Sequence, residues 1–380
     1  MDKRHNILSM ILYHKQAEVE VVLSRAALSW KEIKSKKHDS DISSSIDTAV
    51  SQLVQVSEVV SVQKTEEGHL PASRGKSSAK QPNQLFTHAF TVSYVQRASK
   101  HQWRCSDAVF LCPDQSVCEQ WISAIENQLT LLTNRPKRLL VYINPIGGKK
   151  QGKWIYDQKV APLFCKAGIS TDVMVTEWAN HARDHLIKDA NLDQYDGLVC
   201  VGGDGMFSEI VHGLVIRTQN DNKVDMDDSE KDLVPTALRI GIIPAGSTDC
   251  ICFSTVGTND PVTSALHIIV GDSQPMDVCS VHHNNSFLRF SVSLLGYGFY
   301  GDVLSDSERK RWLGPARYDL SGVKMFLNHN YYEGTVSFLP AEDDMSSPRD
   351  KLQCRSGCHV CRHMSGRQKR QHKISVMAGQ

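Results

Sequence analysis

No apolar run approaches the roughly 18 residues that a membrane-crossing helix requires, although the chain is 380 residues long. Net charge is missing too: 43 Lys and Arg stand against 42 Asp and Glu, leaving +1. No whole-chain field therefore drives the protein onto nucleic acid or an acidic surface, and any such partner must be met by a local patch. Lys3 and Arg4 precede the apolar stretch Ile7 to Tyr13, but His14-Lys15-Gln16 follows without a small-residue cleavage site. That segment reads as the first strand of a domain and not as a signal peptide. The eleven cysteines frame no short loop-rich scaffold; Cys105, Cys165, Cys200 and Cys252 are scattered through strand-like and helix-like text, the usage of a reducing compartment. With 41% hydrophobic and 22% charged residues, global disorder is excluded.

At about 150 residues per domain, the length allows two or three domains. Residues 10–132 hold short strand candidates, Glu18 to Leu23, Leu53 to Val62, Phe86 to Val95 and Ala108 to Leu111, separated by polar loops. Apolar residues then recur at helical spacing from Val117 through Trp121 to Leu132. Strands closed by one helix with a buried Trp resemble a pleckstrin-homology domain. Two readings of this domain stay open: Lys15 and Arg25 dock a phosphoinositide headgroup, or the lysines are solvated on a β scaffold.

After the polar linker 133–137, strands alternate with helices over 136–275. Strands are predicted at Leu139 to Ile143, Asp172 to Thr176, Leu198 to Val201 and Leu238 to Ile243; the first and third are apolar throughout, which suits a parallel sheet covered on both faces. Helices are predicted over Lys153 to Ala167, His181 to Asp189 and Met206 to Ile216. Asn220 to Asp232 carries six acidic residues but lacks the glycine of a calcium loop, and reads as a solvated insertion. From 276 to 345 the text alternates again (Val278 to His282, Leu288 to Leu295), and 346–380 is a Cys-rich, basic tail.

Three sheet strands run into glycine-rich turns, where ligands of such sheets sit. The first, Asn144 to Lys153, contains Gly147-x4-Gly152-Lys153 but has Trp154 where a Walker loop needs a hydroxyl. An ordinary P-loop is rejected, yet a glycine turn into a helix still offers N–H groups to phosphate. The second is Gly202-Gly203-Asp204-Gly205, whose glycines leave a carboxylate unshielded; the third is Pro244 to Asp249.

In this order the three motifs resemble the diacylglycerol-kinase catalytic superfamily, which takes in sphingosine and ceramide kinases. The front domain, Gly246 to Asp249, the stretch Leu294 to Asp302 and the Cys354, Cys358, Cys361 cluster resemble its ceramide-kinase branch, over nearly the whole chain to about residue 362. The resemblance implies α/β plus β architecture: a pleckstrin-homology-like domain, a Rossmann-like doubly wound kinase domain, and a β-sandwich of which only the start is present. It implies an ATP-dependent lipid kinase, with Mg2+ and with stimulation by Ca2+ left open, giving ceramide 1-phosphate. ATP would be met by Asn144, Pro145, Ile146, Thr176, Glu177, Trp178, Ala179, Asn180, Glu209, Gly246, Ser247, Thr248, Arg311 and Arg317. The lipid would meet Gly202, Gly203, Asp204, Gly205 and Asp302, with Asp204 as general base.

Where sphingosine kinases carry an Asp, seven residues before Arg311, this chain has Leu304. A neutral amide would leave such a carboxylate unpaired, which favours ceramide over sphingosine, with diacylglycerol the other alternative. Cys354, Cys358 and Cys361, with His359 or His363, have near-zinc spacing, with redox-sensitive thiols as the other reading. A second Gly-Asp-Gly, which the superfamily places near its C-terminus, does not occur. The expectation is a shortened chain, either a ceramide kinase with reduced turnover or a silent lipid- and nucleotide-binding protein. It would act in the cytoplasm, peripheral on Golgi or plasma membrane, with no nucleic-acid partner.

Overall fold

The computed structural model describes residues 6–15, 17–33, 51–65, 87–314, 316–328 and 330–337. They fall into two compact units.

The first unit comprises residues 1–137 with segments 160–170 and 265–272. Its antiparallel sheet contains β1 (Asn6–His14), β2 (Ala17–Ser24), β3 (Ala27–Glu32), β4 (Ser51–Gln55), β5 (Val59–Lys64), β6 (His88–Arg97) and β7 (Trp103–Cys112), in the order β4-β3-β2-β1-β7-β6-β5. In β2 the alternate residues Val19, Val21 and Leu23 are buried, the period that faces one side of a sheet to a core. Helix α1 (Gln115–Thr130) starts where Asp114 accepts the Val117 N–H at 2.9 Å, and buries Cys118, Trp121 and Ile125. The Trp121 ring stacks on Phe90 at 6.0 Å.

The expected strand Leu53 to Val62 is instead two, β4 and β5, parted by a 3-10 turn at Val56–Glu58. They lie at opposite edges of the sheet, so the chain must turn between them. Strand β3, with buried Trp30, was not anticipated. Lys15 and Arg25 sit in the turns at opposite ends of eight-residue β2. At about 3.3 Å per residue these ends are roughly 26 Å apart, so no single headgroup reaches both.

The second unit contains β8 (Arg138–Ile143), α2 (Gly152–Ile155), a π turn at Tyr156–Val160 leading into α3 (Ala161–Lys166), β9 (Ser170–Val175), α4 (His181–Lys188), β10 (Gly197–Gly202), α5 (Asp204–Asp221) and β11 (Arg239–Pro244). Residue 160, α3 and the first residue of β9 are grouped with the first unit. The sheet order is β11-β10-β8-β9, with β10 parallel to both neighbours. Every residue of β10 is buried, as the unbroken apolar text requires. The single helix expected over Lys153 to Ala167 is interrupted by the π turn just before Pro162, whose ring and missing N–H disturb a regular ladder.

Beyond β11 come α6 (Cys250–Val256), α7 (Pro261–Ile269), the hairpin β12 (Cys279–His283) and β13 (Ser286–Ser291), then α8 (Phe299–Glu308) and α9 (Ala316–Asn328). The acidic insertion is not merely solvated, because Asp227 accepts the Phe287 N–H of β13 at 2.7 Å. Between α8 and α9, Asp306 is 6% exposed and bridges Lys310 and Lys324. These two lysines hold its carboxyl well below the usual range.

Candidate active site

Because β8, β10 and β11 are neighbours pointing the same way, their three glycine turns emerge at one edge of the sheet. Backbone bonds stitch them together: the Asn144 N–H donates to the Val201 carbonyl at 3.0 Å and the Ala245 N–H to the Gly202 carbonyl at 3.1 Å. The Asn144 Oδ1 accepts the N–H groups of Ile146 and Gly147, each at 3.0 Å, and so folds the first turn on itself.

The glycines have different reasons to be there. Gly148 has φ +54°, and a Cβ on it would stand 2.5 Å from the Ala245 carbonyl oxygen. A Cβ on Gly203 would stand 2.9 Å from the Gly246 Cα. These are contacts of turn on turn. Gly205 is otherwise, since a Cβ there would meet nothing within 4 Å, leaving open space beside Asp204.

Asp204 is half-buried at the start of α5. Its Oδ1 accepts the Ile251 N–H at 2.8 Å and its Oδ2 the Cys250 N–H at 3.0 Å, so one carboxylate holds the first turn of α6. Each oxygen keeps a second lone pair for another partner. Asp249, 3% exposed and in the left-handed region at φ +54°, shapes the same junction. Its carboxylate accepts the Gly246 N–H at 2.9 Å and the Asn259 amide at 3.1 Å. Burial nevertheless pushes its carboxyl up, and the nearby charge of Asp204 adds to the shift. Sequence reasoning passed over Asp249 as a site residue; the acid closing Gly-Ser-Thr-Asp ahead of a helix was the available signal.

Segment 176–180 joins the same edge. Thr176 donates its N–H and its hydroxyl to the Ile143 carbonyl, at 2.9 and 3.3 Å. Trp178, 56% exposed, stacks flat on His181 at 3.7 Å, while His181 Nδ1 accepts the Glu177 N–H at 3.1 Å. Asn180, at φ +65°, opens α4 without capping it by its own side chain. That task falls to Glu209 of α5, whose Oε1 accepts the Ala182 and Arg183 N–H groups at 3.0 and 3.4 Å. His181 had no signal beyond its place after the segment.

Pro145, Ile146, Ala179, Ser247 and Thr248 follow their turns to this edge, with Ile146, Ser247 and Thr248 exposed. Other expected residues have different partners. The Arg317 guanidinium donates to the Tyr318 hydroxyl at 2.6 Å and lies 3.5 Å from Glu308. Arg311 opens a 3-10 turn at Arg311–Leu313. Asp302 accepts the Tyr332 hydroxyl at 2.5 Å and the Asn330 amide at 3.0 Å, and these two bonds hold its carboxyl below the ordinary range. Leu304 is 44% exposed, so a carboxylate there would stay hydrated, and the burial penalty expected for it does not arise. Cys354, Cys358, Cys361, His359 and His363 lie outside the described residues. Among the described residues no group of three or more His, Cys, Asp or Glu is placed to hold a metal ion.

The profile of the ceramide kinase PH domain matches residues 8–125, and that of the diacylglycerol kinase catalytic domain matches 138–281. Ceramide kinase of Homo sapiens is 57% identical over 309 residues, which are 81% of this chain and 57% of that protein. The chain belongs to the ceramide-kinase family. Ceramide kinase of Mus musculus is 55% identical over the same 81% of this chain. A diacylglycerol kinase structure from Bacillus anthracis str. Sterne aligns over 40% of this chain and 45% of that one, with 19% identity and a TM-score of 0.30. The chain spans a little over half the length of these two ceramide kinases, 57% of each. Among the described residues of this family member, no helix is long and apolar enough to cross a membrane.

Proposed function

We propose that the chain is an ATP-dependent lipid kinase that phosphorylates the primary hydroxyl of ceramide, and that Asp204 is its general base. The observation that supports this most is the placement of the Asp204 carboxylate: it is fixed by two backbone N–H groups of α6, where three glycine turns meet, with open space over Gly205.

In this reading the nucleotide lies along Asn144, Pro145, Ile146, Thr176 to Asn180, Glu209 and Gly246 to Thr248, and the lipid headgroup over Gly202 to Gly205 with Asp302. Chemistry then needs one proton transfer and one displacement. The ceramide hydroxyl gives its proton to an Asp204 oxygen as its own oxygen bonds to the γ-phosphorus, and the bond from that phosphorus to the β-γ bridging oxygen breaks, releasing ADP. The hydroxyls of the exposed residues Ser247 and Thr248 in the third turn suit the charge on the phosphate oxygens. Arg317 enters no step while it remains on Tyr318 and Glu308. Mg2+ would come to the site on the nucleotide phosphates, which need only one or two protein carboxylates beside them, and would supply neutralisation of the phosphate charge.

Association with membranes would be peripheral, at the Golgi or plasma membrane. A phosphoinositide bound by the N-terminal domain would be held at one end of β2, by Lys15 or by Arg25.

Transfer of radiolabelled γ-phosphate to ceramide in mixed micelles tests the reading, with diacylglycerol and sphingosine as competing lipids. Ceramide turnover abolished by Asp204→Asn supports it. Nucleotide binding without turnover would instead assign the chain as a silent lipid- and nucleotide-binding protein.

A further inference from the structure

The near-neutral chain concentrates positive charge at one place that the proposed chemistry leaves unused. Between residues 144 and 160 stand Lys149, Lys150, Lys153 and Lys159, against a single acid, Asp157. All four lysines are exposed. In their midst Trp154 is 54% exposed, a large apolar ring left at the surface. The π turn at Tyr156–Val160 widens the helix by one residue, and Lys159, five positions on, comes to lie over the Trp154 ring at 5.4 Å. Lys153 pairs with Asp157 at 2.8 Å. The only acid of the segment is thereby neutralised, and an indole is held flat beneath an ammonium group.

We infer that this segment, Trp154 with Lys149, Lys150, Lys153 and Lys159, is a docking surface for an anionic bilayer. An indole prefers the level of the headgroups, where its ring is apolar and its N–H is wet. Lysines around it meet anionic headgroups, and their pull fades within a Debye length of the surface. The partner is chosen by charge complementarity: a neutral apolar partner would gain nothing from four lysines. The surface also begins directly after β8, at the same sheet edge as Asp204. A bilayer seated on it would deliver a membrane-resident lipid to the carboxylate without full extraction into water. The inference deepens the lipid-kinase reading and rests on it for this purpose; the docking itself is measured independently.

The test uses the full 380-residue chain and vesicles of phosphatidylcholine containing phosphatidylserine, with brominated phosphatidylcholine as a quencher of tryptophan fluorescence. The expected result is quenching whose main component disappears in Trp154→Phe. Lys159→Gln should weaken vesicle partition about fivefold. Both variants should keep wild-type thermal unfolding and wild-type phosphorylation of ceramide in detergent micelles, because none of these side chains belongs to the catalytic site. Quenching that persists undiminished in Trp154→Phe, or no partition of the wild type into anionic vesicles, overturns the docking surface while leaving micellar turnover intact. Trp154-dependent quenching without micellar turnover would leave the docking surface standing and the kinase reading refuted.

Discussion

Gly203 and Gly246 touch backbone to backbone: a Cβ on Gly246 would stand 2.5 Å from the Gly203 Cα and 2.6 Å from Asp249 Oδ1. The turns after β10 and β11 therefore close on each other only because both residues lack a side chain. Gly246→Ala should force them apart, costing about 1–3 kcal/mol by overpacking, and should lower turnover. Gly205→Ala makes the contrast. It lies in α5, where its Cβ would meet nothing within 4 Å, so the fold should gain up to about 1 kcal/mol from the better helix former. Turnover should still fall, since the methyl occupies the space left for substrate. Denaturant midpoints measured beside initial rates separate a glycine needed for packing from one needed for access.

Asp204→Asn tests a carboxylate asked to do two things. The amide can accept one of the two α6 N–H groups through its oxygen, but its NH2 faces the other. A lost cap of this kind costs about 0.5–2 kcal/mol. Loss of the base should lower kcat by about 10²- to 10⁴-fold. A thermal shift without this loss of rate would make Asp204 a structural cap and nothing more.

Much of this architecture was readable from residue order. Apolar runs at Leu139 to Ile143 and Leu198 to Val201 declared buried parallel strands, and the glycines after them marked the ligand edge. What stayed hidden was contact between segments far apart in sequence. No pattern near residue 209 tells that Glu209 will cap α4, 27 residues earlier, nor that Asp204 will hold α6, 46 residues later. The split of Leu53 to Val62 was hidden for a similar reason, because strand order and not local composition sends β4 and β5 to opposite edges. Lys15 and Arg25 looked like neighbours because they stand ten positions apart; an extended strand turns that spacing into the largest distance available.

Glu209→Ala should uncap α4 and loosen the Trp178–His181 stack that its first turn carries. Glu209→Gln retains an acceptor oxygen and should preserve most of the cap. The expected pattern is a stability loss of about 0.5–2 kcal/mol for the alanine variant, with a raised KM for ATP, and near-wild-type behaviour for glutamine. Equal KM values for wild type and the alanine variant would remove Glu209 from the nucleotide side.

Acid stability should carry two opposite contributions, because Asp249 and Asp306 are shifted in opposite directions. Burial raises the carboxyl of Asp249, so the native state holds that proton more tightly than the unfolded chain does. Its contribution is fully present below the unfolded value of about 3.9 and is lost as pH rises through the native value. Lys310 and Lys324 lower the carboxyl of Asp306, so its contribution is present above the unfolded value and is lost as pH falls through the native one. Asp249→Asn can still accept the Gly246 N–H and should match the wild type at strongly acidic pH, then exceed it at neutral pH. Asp306→Asn should do the reverse, melting lower than the wild type at neutral pH and converging with it in strong acid. Melting temperatures of both variants across the acidic range decide the matter: parallel curves for Asp306→Asn and wild type would mean that the two lysines do not hold that carboxylate in solution.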